Sequence, residues 1–317
     1  MSKSIIVIDV LDRAAKAAIN PYLVYKHILA RIYEYKRNIL IKKNFVYGSK
    51  TNAVVLASYP RSGNTFFRFV WMNVINDLEN LNISQIDFDT IDKYLPNDQY
   101  FSDIRTEWPF SVLPCLLKTH RNYGEQFKNK RVIHLFRNPL DTMVSSYHYF
   151  SNRTGGPTDP GMSWLEKQCF DSIERYQGTF EEFLRENFDA YCSHFVSWMG
   201  REPIPLAYET IISEKSQQVF FDTLSKLGHE IPENVINIAV NNSRMEKVKK
   251  FTSSSKMVKL KEISFVRDGS CEQWRDYFGE NDLKFVKDKL KKYELNDLSF
   301  YPAEYRPHLN SWSILIC

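Results

Sequence analysis

Residues 53–65 of the chain read AVVLASYPRSGNT. The first six of these residues form a short apolar run typical of a buried strand, and a helical pattern extends from Phe66 to about Leu78. A strand, a short glycine-containing loop and a helix form an anion site, because the unpaired backbone N–H groups at a helix start carry the positive end of its dipole. The Arg61 guanidinium adds a full positive charge that can fork onto a phosphate.

Further apolar runs recur along the chain at 113–118, 132–136 and 205–208, with helical segments between or after them. Strands that alternate with helices predict an α/β fold, with a central parallel sheet flanked by helices in a single domain. Ligands of such sheets bind at the carboxyl ends of the strands. Several of these runs end in unusual polar residues, which directs attention to that edge of the sheet.

The domain organisation follows from length and composition. The chain has 317 residues, of which 43% are apolar and 15% aromatic, as in an ordinary globular protein. We expect one domain over 51–295, an N-terminal helical extension over 1–50 and a C-terminal tail over 296–317. The extension is rich in basic residues, so a helix packed on the core and a helix lying on a membrane surface are both open.

Composition also narrows the class of partner and compartment. A formal net charge of +4 does not call for nucleic acid. The five cysteines are scattered and never spaced as CxxC, which argues against a disulfide framework or a zinc site. No apolar stretch reaches the ~20 residues of a spanning helix. We therefore expect a cytoplasmic protein without stable membrane insertion, as a monomer or homodimer.

A second candidate anion segment runs from Arg137 to Ser145. Arg137 follows the apolar run VIHLF, and Asn138-Pro139 starts a helix well, because asparagine caps and proline suits the first helical position. Ser145 would face back toward Arg137 from the second turn. Alternatively, Arg137 simply pairs with Asp141.

A third segment, FVRDGSCEQWRDYF at 265–278, precedes an amphipathic helical pattern from about Glu280. Gly269 follows Arg267 by two residues, and a glycine there lets backbone N–H groups approach an anion closely. Alone, this segment would be a loop anchored by Trp274.

Together these segments resemble the PAPS-dependent sulfotransferases. Residues 59–66 look like the family's 5′-phosphosulfate loop, YPKSGTTW, and 136–149 are similar to its 3′-phosphate segment, RNPKDxxVSxYHF. Residues 267–278 look like RKGxxGDWKxxF, and Leu117–His120 resembles the KTH motif. The four motifs stand in the family's order and span roughly residues 51–280.

The resemblance implies a role for each matching residue. It implies that the 5′-phosphosulfate is held by Arg61, Ser62, Gly63, Asn64 and Thr65, the 3′-phosphate by Arg137, Ser145, Arg267 and Gly269, and the adenine by Phe66 and Tyr208, with Trp71 as the alternative. Residues 244–248 look like a degraded form of the family's adenine-side SFxxM stretch. The departures include Arg61 for lysine, Phe66 for tryptophan and Asp268 for lysine, and we expect Asp268 to point away from the phosphate.

The implied reaction is transfer of a sulfuryl group from PAPS to a hydroxyl or amine of a small-molecule or carbohydrate acceptor, with release of PAP. His120 would be the general base, since an imidazole titrates near the working pH. Lys118 and Arg61 would neutralise charge on the bridging oxygen. Fixed cations and backbone amides would make a metal unnecessary.

Other functions and roles stay open at this point. A small-molecule P-loop kinase is disfavoured because GxxxxGK[ST] is missing, and a non-catalytic nucleotide-binding scaffold because Lys118 and His120 are both present. If His120 is not the base, a carboxylate such as Asp87, Asp89 or Asp92 is the candidate. The glycine- and proline-rich loop 151–163 is either a lid over the acceptor or a connection.

Overall fold

A computed structural model describes residues 53–95, 108–152, 176–252 and 269–297, together with 299, 301, 303–309 and 312. The predicted extension over 1–50 lies outside the described residues, as do Arg267, Asp268 and nearly all of the loop 151–163. The part of the chain that the structure describes contains one four-stranded sheet.

The sheet has the strand order β2-β1-β3-β4, and every pairing is parallel. Its strands are β1 (Val54–Ser58), β2 (Leu116–Thr119), β3 (Arg131–Phe136) and β4 (Ile204–Ala207). All four apolar runs of the sequence therefore contribute a strand. Nearly every strand residue is buried, as expected for a parallel sheet with both faces covered.

Helices follow or separate the strands. They are α1 (Asn64–Leu78), α2 (Phe88–Tyr94), α3 (Pro139–Ser151), α4 (Phe180–Met199), α5 (Tyr208–Ile211), α6 (Ser216–Lys226), α7 (Glu233–Ser243), α8 (Met245–Thr252) and α9 (Glu280–Lys292). The start of α3 follows the sequence prediction: the Asn138 side chain accepts from the Leu140 N–H at 2.9 Å, and Pro139 is the first helical residue.

Helices cover both faces of the sheet. Successive side chains of a strand point to opposite faces, so each strand contributes apolar residues to both layers. Val54 and Leu56 of β1 face a core shared with α1 and α7, whereas Val55 and Ala57 pack with Trp198 of α4. This architecture confirms the prediction of an α/β fold with a central parallel sheet.

The segment predicted as a C-terminal tail contributes to the core where it is described. Tyr301, Tyr305, Leu309 and Trp312 are each at most 2% exposed and pack in a cluster with α3, α4 and α9. In addition, the Tyr305 hydroxyl lies 2.7 Å from Nδ1 of His134 in β3. None of the helices in the described part of the chain combines the length and the apolar composition of a membrane-spanning helix.

Candidate active site

A cavity of about 410 Å³ opens at the carboxyl ends of the strands. The register of the sheet brings the strand ends to one edge, because Ala57 pairs with Thr119, Ser58 with Leu135, and Phe136 with Ala207. The predicted site residues that line the cavity are Arg61, Gly63, Asn64, Thr65, Phe66, Lys118, His120, Arg137, Ser145, Tyr208 and Gly269. Five separate parts of the sequence therefore converge on one cavity, as the parallel topology predicts.

The loop between β1 and α1 bends through two left-handed backbone positions. Arg61 has a φ of 70° and Gly63 a φ of 96°. A side chain at Gly63 would be unfavourable for two reasons. The left-handed backbone conformation disfavours any residue other than glycine, and a Cβ there would lie 2.4 Å from Cδ2 of Tyr208. Ser62 is fully buried, and its hydroxyl lacks a hydrogen-bond partner in the described part of the chain. Ser62 is the one predicted residue of this loop that does not line the cavity, so Gly63 and the start of α1 form the surface that suits an anionic ligand.

The Arg61 side chain crosses from this loop to α3. Its Nε donates to the Ser145 hydroxyl at 3.2 Å, and its guanidinium carbon lies 5.0 Å from the centre of the Tyr149 ring. The Arg61 carbonyl also lies 3.5 Å from Nη1 of Arg137. Arg61 therefore joins the first predicted anion segment to the second.

Arg137 is 4% exposed and extends under the cavity from the end of β3. Its Nη2 donates to the Ser270 carbonyl at 2.8 Å, and its guanidinium carbon lies 4.4 Å from the centre of the Tyr208 ring. Its Nε is buried without a hydrogen-bond partner among the described residues. These partners replace the alternative pairing with Asp141, and the unsatisfied Nε leaves a donor for an anion.

Tyr208 closes the opposite wall of the cavity. Burial raises the pKa of Tyr208 to about 12, so its hydroxyl stays protonated and donates to the Gly269 carbonyl at 2.7 Å. Gly269 is held at a φ of 83°, and a Cβ there would lie 2.6 Å from Cε of Met245. Phe66 lines the same wall, with its ring 5.9 Å from that of Phe220.

His120 follows β2 and lies beside the end of β1. Its Nδ1 is 2.5 Å from the Ser58 carbonyl oxygen and 3.3 Å from the Ser58 hydroxyl. Because a carbonyl only accepts, Nδ1 carries the proton, and Nε2 keeps a lone pair. Burial, and after it the positive charge of Lys118, holds the pKa of His120 well below its usual value. The side chain is therefore neutral and able to accept a proton at physiological pH.

The residues kept as alternatives lie elsewhere. Trp71 is 2% exposed and packs in the core of α1, away from the cavity lining. Asp87 caps α2, where its carboxylate accepts from the Thr90 N–H at 2.8 Å and the Thr90 hydroxyl at 2.6 Å. Neither Asp87 nor Asp89 is among the residues that line the cavity, and the side chain of Asp92 lies outside the description.

Sequence reasoning missed several residues of this site. Tyr149 lines the cavity and stacks on Arg61, and a signal for it existed, because it lies one helical turn after Ser145. Ser58 orients His120, and Asp141 binds the loop around Ser270, but both contacts join segments far apart in the sequence. No local pattern carries such contacts.

Two carboxyl groups and one thiol cluster behind Arg137. Asp141, Glu209 and Cys271 bring their ligand atoms within 4.8 Å of one another. Both oxygens of Asp141 and Oε1 of Glu209 already accept backbone N–H groups. Burial raises the pKa of Glu209, and it raises the pKa of Cys271 to about 11, which disfavours a thiolate. The cluster therefore organises the backbone around Arg137.

Comparison with known proteins points to one family. The family described as "Sulfotransferase domain" matches residues 51–298. Sulfotransferase 1B1 of Canis lupus familiaris is 22% identical over 259 residues, which cover 73% of this chain and 79% of that protein. Cytosolic sulfotransferase 15 of Arabidopsis thaliana is 22% identical over 290 residues, covering 76% and 73% respectively.

Solved structures share the fold. Mouse sulfotransferase SULT7A1, in a crystal structure with PAP, matches with a TM-score of 0.54 and 18% identity, covering 77% of this chain and 85% of that one. Retinol dehydratase, in complex with androsterone and PAP, matches with a TM-score of 0.50 and 19% identity, covering 76% and 80%. At these identities the likeness concerns the arrangement of strands and helices alone.

Proposed function

This chain belongs to the sulfotransferase family and is an enzyme of sulfuryl transfer, and from that premise we propose how its own residues carry out the reaction. The donor is PAPS, the acceptor is a hydroxyl or amine of a small molecule or carbohydrate, and His120 is the general base. The site needs no metal, because arginine, lysine and backbone N–H groups supply the positive charge.

The observation that carries this proposal is the hydrogen bond between Nδ1 of His120 and the Ser58 carbonyl. It fixes one tautomer and leaves Nε2 as an acceptor on a residue that lines the cavity. The depressed pKa keeps that nitrogen unprotonated. A neutral imidazole held in one orientation beside a cationic cavity is suited to take a proton from an acceptor hydroxyl or amine.

The donor fits the cavity through its two charged ends. The backbone N–H groups of residues 63–65 and the unsatisfied Ser62 hydroxyl would bind the 5′-phosphosulfate, whereas the Ser62 N–H already donates to the Tyr59 carbonyl at 3.3 Å. Arg137, Ser145, Gly269 and Arg267 would bind the 3′-phosphate, with Arg267 assigned from the sequence alone. The ribose would lie between these ends, and the adenine would project from it onto the wall that Phe66 and Tyr208 form, beside residues 244–248.

In the reaction, PAPS supplies the sulfuryl group and leaves as PAP. His120 Nε2 takes the acceptor proton as the acceptor atom bonds to sulfur and the bond from sulfur to the phosphate oxygen breaks. Lys118 and Arg61 neutralise the charge that develops on that oxygen, and a preorganised donor of this kind contributes about 3 kcal/mol. Lys118 is 7% exposed, so solvent screens its charge little.

Calorimetry tests which nucleotide the protein binds as its donor. PAP should bind the purified protein equally well with and without EDTA, whereas ATP with Mg²⁺ should bind much more weakly, because the loop lacks a Lys-Ser/Thr pair. Preferential binding of ATP with Mg²⁺ would support the kinase instead. Loss of PAP affinity on chelation would contradict the metal-independent site.

A screen of acceptors tests the reaction. Phenols, sugars and amines are incubated with labelled PAPS, and we expect label transfer together with PAP release for at least one class. PAP binding without transfer to any class would favour the non-catalytic scaffold.

A further inference from the structure

Asp141 lies in the first turn of α3, and its carboxylate is almost fully buried, with 2% of the residue exposed. One oxygen accepts from the Glu272 N–H at 2.8 Å and the other from the Trp274 N–H at 3.1 Å. These partners lie 131 and 133 residues further along the chain. The carboxylate therefore binds the segment 269–276 to α3 through charge-assisted bonds, which are shorter and stronger than neutral ones.

The same segment lines the cavity with Gly269, Ser270 and Gln273. The Ser270 carbonyl accepts from Arg137, and the Gly269 carbonyl accepts from Tyr208. Asp141 thus holds one end of a short loop whose other end meets the guanidinium at the end of β3. A displacement of that loop would remove the carbonyl that orients Arg137.

The segment has side-chain contacts of its own, because the Gln273 amide donates to the Ser270 carbonyl at 3.0 Å and to the Ser270 hydroxyl at 2.9 Å, but it also contains one strained residue. Glu272 has a φ of 62°, an unfavourable left-handed conformation for a residue other than glycine. Its side chain points to the surface and pairs with Arg275 three residues later. The backbone N–H of this strained residue is bound by Asp141, so the carboxylate stabilises the strained turn.

We propose that Asp141 is a positioning residue for the 3′-phosphate of the donor. Its carboxylate holds the segment 269–276 so that Ser270 aligns Arg137 and Gly269 stays open to the ligand. This inference rests on the proposed function, because it takes the 3′-phosphate to lie at Arg137.

The test compares two nucleotides on one variant. Asp141→Asn keeps the size of the side chain, but its NH₂ group cannot accept, so one backbone N–H loses its partner. PAP carries the 3′-phosphate and adenosine 5′-phosphosulfate lacks it. We expect PAP affinity to fall about tenfold, the effect of losing one charge-assisted bond, with little change for adenosine 5′-phosphosulfate.

Glu79 offers a matched control. Its carboxylate also binds a remote loop, accepting from the N–H groups of Ser111 at 2.6 Å and Val112 at 2.9 Å, and it does not line the cavity. Asp141→Ala and Glu79→Ala each remove such an acceptor. Both should lower Tm, but the ratio of PAP to adenosine 5′-phosphosulfate affinity should change only in the Asp141 variants. If Asp141→Ala does not fold, Asp141→Asn carries the test.

The possible outcomes separate the positioning role of Asp141 from the proposed function itself. Equal losses for the two nucleotides in Asp141→Asn, or no loss for either, would overturn the positioning role while PAP binding by the natural protein stands. A change of the affinity ratio in Glu79→Ala as large as that in Asp141→Asn would also overturn it, because the effect would then reflect general loosening. If the natural protein binds no PAP, the proposed function itself is wrong.

Discussion

The two candidate anion subsites are built in different ways. The 5′ subsite is one continuous loop, Tyr59–Thr65, between β1 and α1, and its shape comes from Gly63 and the start of a helix. The 3′ subsite combines Arg137, Ser145 and the segment 269–276, which come together only in the folded chain. A local loop depends on its own backbone, whereas an assembled subsite depends on the contacts that hold its parts.

The same difference separates the residues proposed for the reaction from those proposed only for donor binding. Lys118 lies in β2, the strand next to β1, and His120 follows it, so the groups proposed for proton transfer and charge neutralisation lie beside the local loop. The assembled subsite contributes binding alone in this scheme. Changes beside the local loop should therefore alter kcat, whereas changes in the assembled subsite should alter the affinity for PAP.

The largest effect is expected at His120. His120→Ala removes the proposed base, so kcat should fall by at least ~10²-fold, while PAP affinity changes little because the residue does not hold the donor. Steady-state assays beside PAP titrations measure the two quantities. His229→Ala, a histidine outside the cavity lining, should leave both unchanged. Retained activity in His120→Ala would move the search for the base to a carboxylate.

The pH dependence gives a second measurement on the same residue. Burial and Lys118 lower the pKa of His120, so the unprotonated base form persists to lower pH than for a free imidazole. The kcat/KM should therefore stay level as the pH falls through about 6.5, the ordinary histidine value, and decrease only below it. An acidic limb centred at or above that value would show that the imidazole is not held neutral as we infer.

Gly63 tests the local subsite. Gly63→Ala forces a side chain into a left-handed position and against Tyr208. We expect affinity for PAP and for adenosine 5′-phosphosulfate to fall together, by about a hundredfold or ~3 kcal/mol, since both carry the 5′ group. Gly200→Ala is the control, because a Cβ there meets no atom within 4 Å and its φ is −82°. A loss confined to PAP would place this loop at the wrong phosphate.

Arg137 tests the assembled subsite, where a substitution should affect the two nucleotides unequally. Arg137→Ala should weaken PAP binding by about 1.5–3 kcal/mol, the value of a charge-assisted hydrogen bond, with a much smaller effect on adenosine 5′-phosphosulfate. Arg185→Ala removes a guanidinium that pairs at the surface with Glu181 and Asp282, and it should change neither affinity. If Arg137→Ala weakens both nucleotides equally, the two subsites are not separate.

The sequence predicts the local loop of the 5′ subsite better than the assembled 3′ subsite. The strand, the loop and the helix of residues 53–78 are adjacent in the chain, so apolar runs, one glycine and the start of a helical pattern were sufficient to predict them. The parallel order of strands then placed His120 and Arg137 at one edge. These inferences use only local pattern and a general rule of topology.

The contacts that hold the assembled subsite were not predictable in this way. Asp141 looked like an ordinary acidic residue in a first helical turn, and its partners Glu272 and Trp274 carry no signal, because the bonds are to backbone N–H groups. The apolar run 205–208 ends in a strand at Ala207, and Tyr208 begins α5 and turns toward Gly269. The segment 296–317 lies outside the family resemblance and was therefore predicted as a tail, because its contacts with α3 and α4 join residues far apart in the sequence.

The smallest effect is expected at Glu272, where the assembled subsite contains a strained turn. Glu272→Gly removes the side chain from a left-handed residue, which relieves backbone strain and leaves the N–H that Asp141 binds. Glycine also makes the unfolded chain more flexible, which offsets part of the gain, so we expect Tm to rise by only roughly 2 °C.

PAP affinity should stay the same, because the Glu272 side chain pairs with Arg275 away from the cavity. Glu202→Gly, at an exposed loop position with a φ of 50°, should give a similar rise for the same reason. A fall in Tm at Glu272 beside a rise at Glu202 would mean that the surface pair with Arg275, rather than Asp141, stabilises the turn.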